Sequence, residues 1–273
     1  MNIVEIGSNE YRNQAATRVF AVLLAFIGRP DARGVSELSR ELGMNKNMMH
    51  RALSTLVSDG YLTRDVSGER YQLGFRLLAL NTGVAGESDI VALARPALEQ
   101  LHALTGESVY LSIIVGRNRV TVDDIQAQGP RVLRSARGSA VPLHVTKMSR
   151  VLLAHLPDKE LGAYFRIAAP LAPSTRFPDP PSETAGGIWE DIMAIRRKPY
   201  MLWRNPHRSS AAYAIFPILD ATGRPHAIIT IGGPVERFDL PQIEEQLPRM
   251  RKILEPLERE ARLFSAPPFV AEG

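Results

Sequence analysis

The sequence predicts an α+β chain of two domains. Three observations carry that prediction. Residues 35–74 run helix, tight turn, helix, hairpin; residues 81–89 (NTGVAGESD) are small and polar with two glycines; and from residue 90 helical stripes alternate with paired apolar runs. The boundary falls at 80/81, giving domains 1–80 and 81–273.

The nine-residue apolar run 19–27 reads as a buried first helix. Val35, Leu38 and Leu42 share one face of the next helix, with Ser36 where an N-cap is wanted and Gly43 as its stop. Asn45 is a good N-cap for residues 46–58, whose apolar side is Met49, Ala52, Leu53 and Leu56. The opposite side presents Asn47, His50, Arg51 and Ser54, all long or polar enough to reach base edges or phosphates. Residues 61–64 and 70–73 flank a five-residue turn and read as a hairpin, with Arg64 and Arg70 near its tip, placed to neutralise phosphates.

Two helices joined by so short a turn make a helix-turn-helix, and the hairpin makes it a winged one. The second helix of that unit enters the major groove and reads bases near its N-terminus, where Lys46, Asn47 and Met48 stand, with Arg51 one turn deeper. The plainer reading is a helical hairpin with a solvated polar face. Against it, residues 43–58 hold Lys46 and Arg51 but no acid, whereas helix surfaces usually mix both signs.

Composition permits this without locating it. The 273 residues carry a net charge of +4, are 45% hydrophobic and 23% charged, and describe a globular protein long enough for a sizeable core. Residues 1–84 hold ten Lys or Arg against eight Asp or Glu and the remainder twenty-three against twenty-one, so the local pattern, not global charge, marks the DNA surface. The absence of cysteine excludes disulfides, thiolate metal sites and a cysteine nucleophile. The nine-residue run is far short of the roughly 20 apolar residues a bilayer span needs, and residues 1–11 lack a secretory signal, so a cytoplasmic protein without membrane contact is expected.

In the second domain, residues 90–105 read as a helix with Leu93, Ala97, Leu101 and Leu104 on one stripe and Gly106 as its stop. Residues 109–115 and 120–125 flank a four-residue turn, 116–119, and a third strand is expected at 132–136. Helices are expected at 149–155, 158–166 and 183–197, with a loop over 170–181, where five prolines forbid regular structure. Strands at 211–219 and 227–231 and a closing helix over 240–264, bent at Pro248 and Pro256, complete the chain.

Taken in order, LSRELGMNKNMMHRALSTLVSDGYLTRD, YQLGFRLLAL, RPALEQLHALTGESVYLSI, GSAVPLH and FPILDATGRPHAIITIGGP resemble the IclR family of bacterial transcription regulators, over about residues 15–264. The resemblance implies a winged helix-turn-helix, a linker helix here at 74–81, a GAF-like α/β effector-binding domain, and a dimer or tetramer. It implies a repressor or activator that binds a double-stranded operator in response to a small metabolite, often an organic acid. Carried over by position, it nominates Lys147, Met148, Trp203, Tyr213, Thr230 and Gly232 as effector-binding residues.

Several of these depart from the family pattern. Lys147-Met148-Ser149-Arg150 stands where relatives have small residues followed by Gly-Lys, Trp203-Arg204-Asn205 where they often have an acidic pair, and Thr230 and Gly232 where two serines are common. Lys147 and Arg150 at a helix N-terminus favour an anion, while Trp203 and Tyr213 supply flat walls and Gly232 leaves room. The expected effector is therefore an aromatic or bulky organic acid. The alternative is that both aromatics are core residues and both cations face solvent, leaving a constitutive DNA-binding regulator with a degenerate pocket.

An enzyme is the weaker alternative. The six histidines (50, 102, 144, 155, 207 and 226) form no H-x-x-x-H pair, and neither a G-x-S-x-G elbow nor a P-loop occurs, so no catalytic residue, metal or cofactor is expected. Asp123 and Asp124 are neighbours on a strand, point apart, and read as a turn or edge feature; His144 reads as a packed core group.

Overall fold

The computed structural model describes residues 13–27, 31–77, 89–129, 133, 137–167, 185–205, 211–267 and 269. The chain divides into two compact units, residues 1–88 and 89–272. The expected boundary at 80/81, residues 78–81 of the linker helix expected at 74–81, the strand at 132–136 apart from residue 133, and the proline-rich loop at 170–181 lie outside the described residues.

The first unit holds α1 (Gln14–Leu24), β1 (Arg33–Gly34), α2 (Val35–Leu42), α3 (Lys46–Ser58), β2 (Leu62–Arg64) and β3 (Arg70–Leu73). Its strands form an antiparallel sheet in the order β1-β3-β2. Val22, Phe26, Leu38, Met49, Leu53 and Leu56 interlock as its core, so the apolar faces read from the sequence converge on one interior. The first helix is amphipathic rather than buried throughout: Val22 is fully enclosed while Phe20 is 63% exposed. Gly43 closes α2 at φ 63°, a left-handed value that a side chain resists, and this permits the tight entry into α3. Ser36 is not the cap of α2. That position is Gly34, because β1 pairs with β3 up to Gly34 and the helix starts at once from Val35.

The second unit is a three-layer α/β structure. Six antiparallel strands run in the order β6-β5-β4-β9-β8-β7, where β4 is Ser108–Val115, β5 Asn118–Ile125, β6 Ala140–Pro142, β7 Met201–Arg204, β8 Ala211–Leu219 and β9 Pro225–Pro234. One face packs on α4 (Asp89–Thr105) and α8 (Leu240–Ala261), through residues such as Leu98, Leu101, Met250 and Leu254. The other packs on α5 (Lys147–Ala154), α6 (Asp158–Ile167) and α7 (Ala185–Arg196), through Leu152, Leu161, Ile188 and Ile192. Alternation along β8 and β9 divides them between the layers: Ala212, Ala214, Ile229 and Ile231 face the first, Tyr213, Ile215 and Ile228 the second.

Three local expectations change. The β4–β5 turn is Gly116 and Arg117 alone, because Val115 already pairs with Asn118, so Asn118 and Arg119 belong to β5. The short strands β6 and β7 went unread: three or four residues carry no measurable alternation, and β6 ends in proline. The stripe of α4 centres on Ala94, Ala97, Leu98 and Leu101, with Leu93 and Leu104 half-buried.

Candidate DNA-binding surface and effector site

The outward face of α3 is set by its cap and its core. The Asn45 side-chain oxygen accepts the Met48 amide at 2.9 Å and so fixes the first turn, while Met49 and Leu53 are fully buried. That orientation leaves Lys46, Asn47, His50, Arg51 and Ser54 exposed and Met48 half-buried. Among the described residues, the side chains of Lys46, Asn47, His50 and Arg51 engage no hydrogen-bond or ion-pair partner. Ser36 is exposed on the first turn of α2.

In the wing, Val66 is fully exposed at the tip. Arg64 donates to the Gly68 carbonyl at 3.2 Å and lies over the Tyr71 ring at 5.5 Å. Arg70 donates to the Ala32 carbonyl at 2.7 Å and stands 3.9 Å from the Glu37 carboxylate. Both arginines are exposed, yet each is braced against its own frame. Arg33, which the sequence reading passed over, is 2% exposed; it donates to the Ala25 carbonyl at 2.6 Å and to Glu37 at 2.8 Å, and also reaches Glu41, tying the end of α1 to α2.

The effector candidates gather on the sheet face that meets α5 and α7. Register sets Trp203 opposite Tyr213 and Tyr213 opposite Gly232 across β7, β8 and β9. The rings of Trp203 and Tyr213 stack at 5.4 Å and 21°. A Cβ at Gly232 would sit 2.9 Å from two Tyr213 ring carbons, so the room expected there for a ligand is taken by the tyrosine itself. Thr230 shares that face, is 1% exposed, and its hydroxyl lacks any partner among the described residues.

Lys147 and Arg150 stand in the first turn of α5, and Met148 packs partly buried against the same core. Neither cation is free. Asp191 of α7 takes both, the Arg150 contact at 2.9 Å, and Arg150 also donates to the His144 carbonyl at 2.9 Å. Arg150 is 2% exposed, so neither the expectation of two available charges nor the alternative of two solvated ones describes this pair.

A further buried charge that sequence reasoning missed is Arg119. On β5 it faces the same interior, donating to the Ser112 hydroxyl at 3.0 Å and to the Ser149 hydroxyl of α5 at 3.2 Å. Burial pushes its guanidinium down to about 10, still charged at neutral pH. Ser112 in turn meets the Thr121 hydroxyl at 3.3 Å, and Ser149 meets the capping hydroxyl Thr146 at 2.8 Å. The signal was period two: with a two-residue turn, Arg119 and Thr121 fall on the inward side of β5, whereas a four-residue turn leaves Arg119 outside the strand.

His144 is bonded to the Tyr164 hydroxyl at 2.7 Å. Burial first, then the neighbouring charges of Arg150 and Arg117, press its imidazole down to about 4, and burial raises the Tyr164 phenol. Asp123 and Asp124 lie within β5, not in a turn: Asp123 is buried between Arg95 of α4 at 3.3 Å and Arg137 at 2.6 Å, and Asp124 meets Arg137 at 2.6 Å. Among the described residues no group of three or more His, Asp or Glu is placed to hold a metal ion, and no helix is long and apolar enough to cross a membrane.

Comparison with known proteins agrees with both units. Residues 15–66 match the IclR helix-turn-helix domain, and residues 82–258 match the C-terminal domain of bacterial transcriptional regulator IclR. The chain is 29% identical over 237 residues to the HTH-type transcriptional regulator XynR of Escherichia coli K12, covering 86% of this chain and 92% of that one. Among solved structures, IclR of Thermotoga maritima superimposes with a TM-score of 0.66 at 24% identity, covering 90% of this chain and 98% of the other. An IclR homologue from Microbacterium hydrocarbonoxydans, complexed with 4-hydroxybenzoate, gives 0.69 at 19%, covering 92% and 100%. With a helix-turn-helix in one unit and an α/β domain in the other, both matched by one family along most of their length, the chain belongs to the IclR family of DNA-binding transcriptional regulators.

Proposed function

We propose that this regulator controls a catabolic operon, and that an aromatic or bulky organic acid, bound on the sheet face beneath α5 and α7, changes its operator affinity. The observation that carries the effector reading is Thr230, a hydroxyl 1% exposed and without a partner among the described residues, on the face that bears the Trp203–Tyr213 stack. An orphaned buried hydroxyl costs about 1 to 3 kcal/mol, which a ligand's hydrogen bond offsets. The aromatic pair offers such a ligand a flat neighbour. Lys46, Asn47, Met48, His50, Arg51 and Ser54 address the operator's major groove, and Ser36, Arg64 and Arg70 its backbone. The chain acts as a dimer or tetramer in the cytoplasm and performs no catalysis.

Gel shift on the DNA upstream of the chain's own gene tests this, with and without aryl acids, 4-hydroxybenzoate among them. A retarded band that an acid strengthens or releases is expected. Retardation that no acid changes supports a second reading, favoured by Asp191 taking both Lys147 and Arg150: a constitutive DNA-binding regulator. Turnover of a substrate without DNA binding overturns both.

A further inference from the structure

The guanidinium of Arg119 carries five N–H donors in a planar fork. Two are used, one on Ser112 and one on Ser149, and the other three engage no acceptor among the described residues. Both partners are neutral hydroxyls, and among the described residues no carboxylate pairs with this arginine, which is 7% exposed. Among the described residues every other buried arginine has an acid: Arg33 holds Glu37 and Glu41, and Arg150 holds Asp191. A buried charge without a counterion is costly, and chains normally pair it.

The surroundings of Arg119 are also short of negative charge. Ser149, which accepts from Arg119, lies in the first turn of α5 beside the N-cap Thr146, where the helix presents its positive end. The first turn of α5 contains no acid, and Asp191, which faces that turn, already serves Lys147 and Arg150. On the same face, two strands away, stands the unpartnered hydroxyl of Thr230. A positive fork, a helix N-terminus and a spare hydroxyl are complementary to a carboxylate with a polar or apolar body.

We propose that Arg119 is the residue that makes the effector an acid: the carboxylate of a small organic acid takes the unused donors of its fork beside the α5 N-terminus, with the Thr230 hydroxyl as a second point of recognition. This rests on the effector reading above and replaces Lys147 and Arg150 as the source of the charge preference. The carboxylate supplies the counterion that Arg119 lacks among the described residues, so binding is coupled directly to the contact between β5 and α5.

The test uses the full-length chain and its Arg119→Met, Arg119→Lys and Thr230→Val variants. Benzoate and 4-hydroxybenzoate are titrated against benzamide, 4-hydroxybenzamide, sodium chloride and sodium phosphate, by thermal shift and calorimetry, with operator gel shift alongside. The acids are expected to stabilise the native chain and the amides and inorganic salts not to. Arg119→Met should weaken acid binding by about tenfold or more, as expected when one partner of a buried charge pair is truncated. A thermal melt of Arg119→Met without ligand establishes that the variant is folded before its acid affinity is read. Thr230→Val should weaken acid binding several-fold. An Arg119→Met chain that binds the acids as tightly as the native one overturns the inference and leaves the effector reading standing. Should that variant not fold, Arg119→Lys decides in its place, since it keeps the charge and loses the fork: native affinity there overturns the inference equally. Stabilisation by the amides or inorganic salts as strong as by the acids also overturns it. A native chain that binds operator but responds to none of these acids overturns the inference and the effector reading together.

Discussion

Arg51 stands one turn into α3, exposed and with no side-chain partner among the described residues. Its replacement by alanine should leave the fold intact and weaken operator binding by about 1 to 3 kcal/mol, read by gel shift at fixed salt. An unchanged affinity and salt slope would remove it from the interface. Gly232 predicts the opposite kind of effect. A methyl there meets the Tyr213 ring at 2.9 Å, so Gly232→Ala should lower stability by about 1 to 3 kcal/mol in thermal melts, with operator binding retained where the chain stays folded. His144 predicts a pH dependence. Its folded imidazole sits near 4, below the ordinary 6.5, so between those values the unfolded chain binds more protons. Stability attributable to it is complete above pH 6.5 and declines as pH falls toward 4, by about 2 kcal/mol once partial solvation is allowed for. Comparing melts of the native chain and His144→Asn at pH 7 and pH 5 checks this: the variant should lose less. At this scale the sequence was informative wherever a residue's role follows from its neighbours in the chain, as with Asn45 capping α3. It was silent on Arg119, whose meaning depends on Ser149, thirty residues away in another layer.

The elements divide in the same way. The helices α2, α3 and α4 were legible because a period of 3.6 repeats several times in each and a capping residue marks an end: Asn45 before α3, Gly43 after α2. The strands β6 and β7 are too short for period two to repeat, and only their pairing with β5 and β8 defines them. Pro248 and Pro256 lie inside α8, and Pro96 inside α4; a missing amide donor is tolerated where the rest of the helix is held by packing. The join between α1 and α2 rests on Arg33. Arg33→Ala should destabilise the DNA-binding unit by about 3 kcal/mol, because Glu41 and the Ala25 carbonyl then lose their buried partner, whereas Arg95→Ala, with its cation partly in solvent, should cost less than about 1 kcal/mol. Circular dichroism melts of the two variants give the comparison.

For the whole chain, the family and both domain folds were readable from motif order, since each fragment is weak alone but the series is specific. Of the candidate effector residues, position along the strands was enough to bring Trp203, Tyr213 and Thr230 to one sheet face, whereas the pairing of Lys147 and Arg150 with Asp191, more than forty residues away, was not legible in the chain. If an acid and the operator act on one equilibrium, their coupling is reciprocal. An acid that changes operator affinity should have its own affinity changed by operator DNA by the same factor, within roughly 5- to 150-fold, and titrations in both directions must agree.

The stacked pair at β7 and β8 also provides an optical probe. The sequence holds two tryptophans, Trp189 and Trp203, and only Trp203 lies against Tyr213. Trp189→Phe therefore leaves a single indole whose emission reports the electronic environment of the ring beside Tyr213. An aryl acid arriving there should shift or quench that emission, giving a label-free readout of occupancy in solution without DNA.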